Sequence, residues 1–456
     1  MKKIVLLGVG ICFIALGIWG IVRKDKINFD ANKILENSIL KEKEFSPNVN
    51  TVYSSDKKVQ AYHLKDDSVG LVFVNFGFDR MGSAYEPKEG VGVLAESSLL
   101  DGAGVWKREE LRKLMKEKGI KIGLNVQMDS FDFAFSYVKE FEDEAWEVLK
   151  AVIYDAHLEE DNLALSKKQL KMLRMREEEK PENKLSKLIL KEFYGNHPYG
   201  KEIYPKDDKL DDLDKEDIRE YLKYFMAKDV LSIGIAGNIE EKRVSEFLDF
   251  IFDGLEDKTK ADKLLEHQFN FDEEKKTVEL DFSKQSFAKY IGKGIKRSDV
   301  DFYPFYVADY IFGGSGLNSR LSKVIREKEG LTYGIYSYMS DRDAGSFWNI
   351  YYSATPENAE RIEEIIGKEY DEFLKNGVSE EEVLMAKKNL LSSFNLRFAK
   401  LSGISLQLQY MKRQNLGVDF LKKRQGYVKA VKRDDVNRVI KEKMPKNMRI
   451  FVGRGK

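Results

Sequence analysis

Cysteine and histidine are nearly missing from this chain of 456 residues, which has one Cys, Cys12, and four His. A single thiol excludes an intrachain disulfide framework and any zinc site built from cysteines. The histidines, His63, His157, His197 and His267, lie far apart in sequence, so no two form a local ligand pair. A histidine metal site would have to be assembled from distant segments. An excess of charge of either sign is missing too. Lys+Arg and Asp+Glu both number 77, giving net zero, which argues against a nucleic-acid-binding protein with its basic surface. What is present is a globular composition, 42% hydrophobic and 34% charged, in a chain too long for one ordinary domain and comfortable for two.

Long apolar runs are scarce as well, with one exception at the N-terminus. After Met1-Lys2-Lys3, residues 4–22 form an uncharged run of 19, and Arg23 and Lys24 follow. That is long enough to span a bilayer as a helix and somewhat long for a signal-peptide core. Ala15-Leu16-Gly17 offers a small-x-small cleavage site, but more apolar residues follow it. Ile11 precedes Cys12 where a lipoprotein would carry a small residue. The expectation for 1–24 is an uncleaved signal anchor, with a cleaved signal peptide as the alternative. Either way the body is exported, to the periplasmic side of the inner membrane, anchored or soluble.

Residues 25–50 are polar and read as a tether. From about Thr51 the pattern is β. Residues 69–78 (VGLVFVNFGF) and 131–138 (FDFAFSYV) read as strands, as do residues 229–239. A helix with Leu111, Leu114 and Met115 on one face closes at Gly119, and the charged run Asp161 to Lys191 is helical. Residues 256–275 are polar and mark a linker between an N-terminal domain, 51–255, and a C-terminal one, 276–456. The second half repeats the first. Asp217 and a strand from Asp229 match Asp435 and a strand from Asn447, each 218 residues on. In the second half Thr355-Pro356 opens a helix that stops at Asn376-Gly377, and Ser379 with Glu382 forms a capping box for the next. The fold class is therefore α+β: two homologous domains, each an antiparallel sheet with helices on one face.

Residues 90–99 (GVGVLAESSL) sit where a strand-rich segment gives way to a helix. They have the frame of the inverted zinc-peptidase motif H-x-x-E-H, in which two His one turn apart bind zinc and the Glu activates water. Here the frame holds Val93, Glu96 and Ser97. An aliphatic chain offers no lone pair, and a neutral hydroxyl is a poor zinc ligand. Met172 stands at the spacing of the third ligand, and a thioether binds zinc weakly. By spacing alone, the stretch also reads as an ordinary helix start that never bound metal.

Residues 313–337 (GGSGLNSRLSKVIREKEGLTYGIYS) change that reading. Ser319-Arg320-Leu321, Arg326-Glu327, Gly330-Leu331 and Tyr333 closely resemble the substrate-side signature of the pitrilysin/insulinase-like metallopeptidases, the inverzincins. The family's zinc-motif region then lines up on Glu89 to Ser97, its Glu ligand on Met172, and residues 195–200 (GNHPYG) look like a family element. The resemblance runs from about residue 50 to the end and implies the two-domain layout of the smaller members, the domains facing each other as half of a peptide chamber. In the family an Arg and a Tyr seven apart reach the zinc site, hold the peptide and stabilise the tetrahedral intermediate. Arg326 and Tyr333 have that spacing. The bland reading of the two is a buried salt-bridging Arg and a core Tyr. The glycines of Gly313 to Gly316 lack a following G-K-[ST], so a phosphate loop is excluded. His197 reads as a turn cap, and Glu96 as a vestige or local cap.

Some family members work as pairs, one subunit bearing H-x-x-E-H and the other retaining only the Arg/Tyr pair. The resemblance implies that this chain is the second kind: no cofactor of its own, zinc on a homologous partner, and a peptide or unfolded protein as substrate. The alternatives are a peptide-binding scaffold with no hydrolytic role, and a stand-alone metallopeptidase with atypical zinc ligands.

Overall fold

Period-two patterning in the strands dictates two sheets. The computed structural model describes residues 47–456. The anchor expected over 1–24, and the tether as far as residue 46, lie outside the described residues. Among the described residues no helix is long and apolar enough to cross a membrane.

The first half lays down β1 (Asn50–Tyr53), β2 (Gln60–Lys65), β3 (Leu71–Asp79), α1 (Val91–Ser98), a short ribbon of β4 (Gly102–Ala103) and β5 (Trp106–Lys107), α2 (Arg108–Glu117), β6 (Lys121–Val126) and β7 (Ser130–Val138). There follow α3 (Glu142–Tyr154), α4 (Glu160–Glu179), α5 (Pro181–Ile189), α6 (Asp207–Asp211), α7 (Lys215–Phe225), β8 (Leu231–Gly237) and α8 (Glu241–Phe252). The sheet order is β1-β2-β8-β3-β7-β6. Alternate residues of β3 (Val72, Val74, Phe76, Phe78) and β7 (Phe131, Phe133, Phe135, Tyr137) are all buried on one face, with Phe76 stacked on Phe133 at 4.6 Å. Helices α1, α3, α7 and α8 cover that face. Each large side chain so removed from water stabilises by about 1.5–3 kcal/mol.

Residues 257–273 contain no helix or strand. The second half then gives β9 (Glu274–Glu279), β10 (Ser286–Lys293), α9 (Phe302–Asp309), β11 (Thr332–Arg342), β12 (Gly345–Ala354), α10 (Ala359–Asn376), α11 (Glu380–Asn395), α12 (Leu401–Arg413), α13 (Phe420–Ala430), α14 (Arg433–Glu442) and β13 (Arg449–Arg454). Its order, β9-β13-β10-β12-β11, repeats β2-β8-β3-β7-β6 of the first sheet. The duplication extends to caps. Asp217 closes back on the amide of Asp214 at 3.0 Å, and Asp435 on that of Lys432 at 3.1 Å. Strands β8 and β13 begin 218 residues apart, at Leu231 and Arg449. The capping box of Ser379 and Glu382 is formed.

Two features amend the expectation of antiparallel sheets with helices on one face. The pairs β2/β8 and β9/β13 run parallel. The closing strand of each half arrives through a helical crossover, which returns it in the direction of the opening strand. The second face of each sheet, moreover, receives a helix from the other half. Helix α12 lies on β8, β3 and β2, and α5 lies on β13, β10 and β9. Ile404, Leu408 and Met411 of α12 pack on Tyr62, Leu64 and Ala236. Leu185 and Ile189 of α5, with Phe193 beyond it, pack on Leu280, Phe287, Ile291 and Phe451. This exchange binds the halves together, and further ties cross between them: Tyr85 Oη donates to Asp343 at 2.5 Å, and the Ala344 amide donates to Tyr199 Oη at 3.0 Å.

Candidate functional site

The helix expected to carry the zinc frame begins at Val91, after Gly90 in the left-handed region (φ 89°). Glu86 accepts from the amides of Gly90 at 2.8 Å and Gly92 at 3.2 Å, satisfying first-turn donors. Burial nevertheless pushes its carboxyl up to about 7. Val93 points into the core at 4% exposure. Ser97 Oγ donates to the Leu94 carbonyl at 3.0 Å, its own helix. Glu96 Oε2 accepts from the Val126 amide at 3.1 Å, so it ties α1 to the end of β6; burial raises its pKa. Met172 is on α4, which packs against α1, and its thioether is half exposed. These donors do not fit a zinc ion. Among the described residues there is no group of three or more His, Cys, Asp or Glu that could hold a metal. Two distant histidines do meet, with His197 and His267 rings 4.9 Å apart. His197 Nδ1 accepts from the Tyr199 amide at 3.1 Å, the turn cap expected of it.

Arg326 and Tyr333 stand on the second half. Arg326 lies in a wide helical turn, Ser322–Lys328, that precedes the edge strand β11. The register against β12 slips between Thr332 and Gly334, so Tyr333 is the bulged residue. The Thr332 hydroxyl fills the gap, accepting from the Gly334 amide at 3.0 Å and donating to the Ser353 carbonyl. The phenol is thereby pushed out to 94% exposure. Arg326 is exposed too. The reading as a buried ion-paired Arg and a core Tyr therefore fails. The Gly-rich turn before them serves packing, because a Cβ on Gly313 would sit 2.6 Å from the Ser337 amide nitrogen.

Sequence reasoning missed the cleft between the halves. Three residues beyond Tyr333, a cavity of about 570 Å³ opens between α4–α5 and the inner face of the second sheet. Tyr336, Tyr351 and Lys289 stand in one row across β11, β12 and β10. Tyr336 is 5.4 Å from Tyr351 and 5.9 Å from Tyr338, ring to ring. Arg174 of α4 and Arg342 complete the positive lining, and Glu177 and Glu182 face them. Burial, with Arg342 nearby, pushes the Lys289 amine down to about 8. Burial pushes the Tyr351 phenol up to about 12. The sequence signal was the i, i+2 pair Tyr336 and Tyr338, which strand geometry puts on one face. Lys289 had no signal, since its partners come from other strands. Chemically the cleft can grip a peptide: phenols donate and stack, and an ammonium awaits a carboxylate.

Comparison with known proteins agrees with this geometry. Residues 72–207 match the family described as insulinase (peptidase family M16), and residues 212–390 match the peptidase M16 inactive domain. An uncharacterized zinc protease, YmxG of Bacillus subtilis, is 24% identical over 324 residues, 69% of this chain and 76% of the relative. A non-peptidase homolog of Helicobacter pylori, also YmxG, is 23% identical over 350 residues, 75% of this chain and 78% of the relative. The solved peptidase M16 inactive domain from Pseudomonas fluorescens superposes with a TM-score of 0.81 at 20% identity, covering 90% of this chain and 98% of that one. With two sheets in matching order, a zinc frame whose donors are gone and profile matches over both halves, the chain belongs to the insulinase family of M16 peptidases as an inactive homologue.

Proposed function

We propose that this chain is the non-catalytic subunit of an exported heterodimeric zinc peptidase. One contrast carries the reading. Val93, Ser97 and Met172 cannot bind zinc, while Arg326 and Tyr333 are held out to solvent from ordered backbone. Partner side chains would complete what this chain lacks. A guanidinium grips a peptide carbonyl or carboxylate in bidentate fashion, and a phenol donates to a developing oxyanion. Arg326 and Tyr333 would supply both in trans, with zinc and the general base on a homologous subunit bearing H-x-x-E-H. The apolar run at 4–22 is the basis for export and for a membrane anchor.

Co-expression with such a homologue tests the proposal. The pair should co-purify and hydrolyse peptides. Arg326→Ala should lower the activity of the pair by about a hundredfold, the scale of losing one oxyanion-type contact, with assembly intact. Unchanged activity would remove the role. The second reading, a peptide-binding scaffold, is favoured by the tyrosine-lined cleft and predicts peptide binding without turnover in any complex. A stand-alone metallopeptidase requires near one zinc per purified chain, which metal analysis decides.

A further inference from the structure

A second cavity, of about 420 Å³, lies away from the cleft, where α12 meets the body of its own half. Helix α12 presents Gln407 and Tyr410 to it, with Gln414 at its C-terminal cap, on the side away from the first sheet. Three arginines converge there. Arg424 is 6% exposed; its guanidinium lies 3.8 Å from the Phe394 ring, reaches the Leu390 carbonyl at 3.5 Å and has the Tyr306 phenol as a further, uncharged partner. Arg297 donates to Tyr303 Oη at 3.0 Å and stacks 4.0 Å from Phe302. Arg397 lies 5.8 Å from the Phe394 ring. None of the three guanidiniums has an ion pair among the described residues. The one carboxylate among the described lining residues, Asp341, is engaged by the Arg297 amide at 2.9 Å and the Ser346 hydroxyl at 2.6 Å.

Elsewhere the chain pairs its confined arginines with acids. Arg449 has Glu274 at 2.8 Å, Arg320 has Glu382 at 2.6 Å, and Arg413 has Asp79 at 2.6 Å. A buried guanidinium without a counter-charge is costly, and burial lowers the pKa of Arg424. One such buried guanidinium, with half-buried Arg297 and exposed Arg397 around the same cavity and phenols and carboxamides between, is the donor set of an anion site. We propose that this pocket binds a small, multiply charged oxyanion, held by Arg297, Arg397 and Arg424. Phosphate and polycarboxylate share that chemistry. Bound there, the anion would bridge α12 to α13 and so fasten the exchanged helix to its own half. The proposal is independent of the peptidase reading, because the site faces neither the zinc frame nor the cleft.

Titration calorimetry and thermal melts on the full chain test it, with sodium phosphate, pyrophosphate and citrate against sodium chloride at equal ionic strength. We expect saturable binding of at least one oxyanion at submillimolar concentration, and a melting temperature several degrees higher at 10 mM. Phosphate and pyrophosphate against citrate separates the two sources. Arg397→Gln, at an exposed position that leaves the core untouched, should weaken binding at least tenfold. Arg424→Lys should do the same if it folds. No saturable heat at 10 mM from any of the three, or equal affinity in Arg397→Gln and the parent, would overturn the site.

Discussion

The two exchanged helices occupy corresponding places, yet their seats differ. On the first sheet α12 lies close. A Cβ on Gly234 would fall 2.2 Å from the Ser405 carbonyl oxygen and 2.3 Å from the Gln409 nitrogen. Gln409 Nε2 donates to Asp132 at 3.0 Å, and Arg413 pairs with Asp79 and Asp132. The remaining inner face, on β6 and β7, carries small or polar residues such as Gly123, Asn125, Ala134 and Ser136. On the second sheet α5 covers β9, β13 and part of β10 and leaves the stretch around Lys289, Tyr336, Tyr338 and Tyr351 open as the tyrosine-lined cleft. The same topology thus yields a close-packed, ion-paired helix seat beside an exposed, small-residue face in one half and a tyrosine-lined cavity in the other. Side-chain size on one face of each sheet makes the difference.

The sharpest way to break the comparison is Gly234→Ala. The clash is with backbone on both sides, so we expect a loss of about 3 kcal/mol, at the upper end for overpacking, read by urea denaturation. No loss would mean that α12 is not seated there. Arg413→Met comes next, at about 2 kcal/mol, reduced from the value for fully buried pairs because Asp79 is partly exposed. Burial holds Asp79 up at about 6 even with Arg413 beside it. A carboxyl whose folded pKa is raised contributes fully only at low pH and loses that contribution as pH rises through the folded value. The penalty of Arg413→Met should therefore be larger at pH 8 than at pH 5.

In the open seat the sign reverses. Lys289 has a folded pKa of about 8, below the ordinary 10.5. Both states are protonated below pH 8, and the native state there bears the cost of a buried ammonium. Parent stability should rise between pH 8 and 10.5 as the native amine gives up its proton first. Lys289→Met should gain about 2 kcal/mol at pH 7, lack that rise, and bind acidic peptides more weakly. A Lys289→Met chain less stable than the parent at pH 7 would refute the open, unpaired placement. The smallest effect is a control on α10, where a Cβ at Gly367 meets nothing within 4 Å. Gly367→Ala should stabilise by about 0.5–1 kcal/mol through helix propensity alone, visible as a small rise in melting temperature.

Much of the fold was legible from periodicity. The β3 and β7 strands, the α10 helix with its stop at Gly377, the Ser379 cap and the 218-residue repeat all rest on local rules. The loss of zinc donors at Val93, Ser97 and Met172 was legible too, because ligand chemistry depends on residue type before geometry. The parallel pairs, the helix exchange and the arginine pocket were not. Each depends on which distant segments meet, and an Arg reads the same in sequence whether or not an acid waits opposite it.

Sequence alone determined that the chain has two similar α+β halves and cannot hold zinc in the inverted-motif frame, since amphipathic period and side-chain donors are local properties. Only the tertiary structure decided that Tyr333 is extruded by a bulge, that Lys289 stands in a cleft with no ion pair among the described residues and that three arginines share one cavity. Burial and partnership are properties of contacts between segments hundreds of residues apart, and no local pattern encodes them.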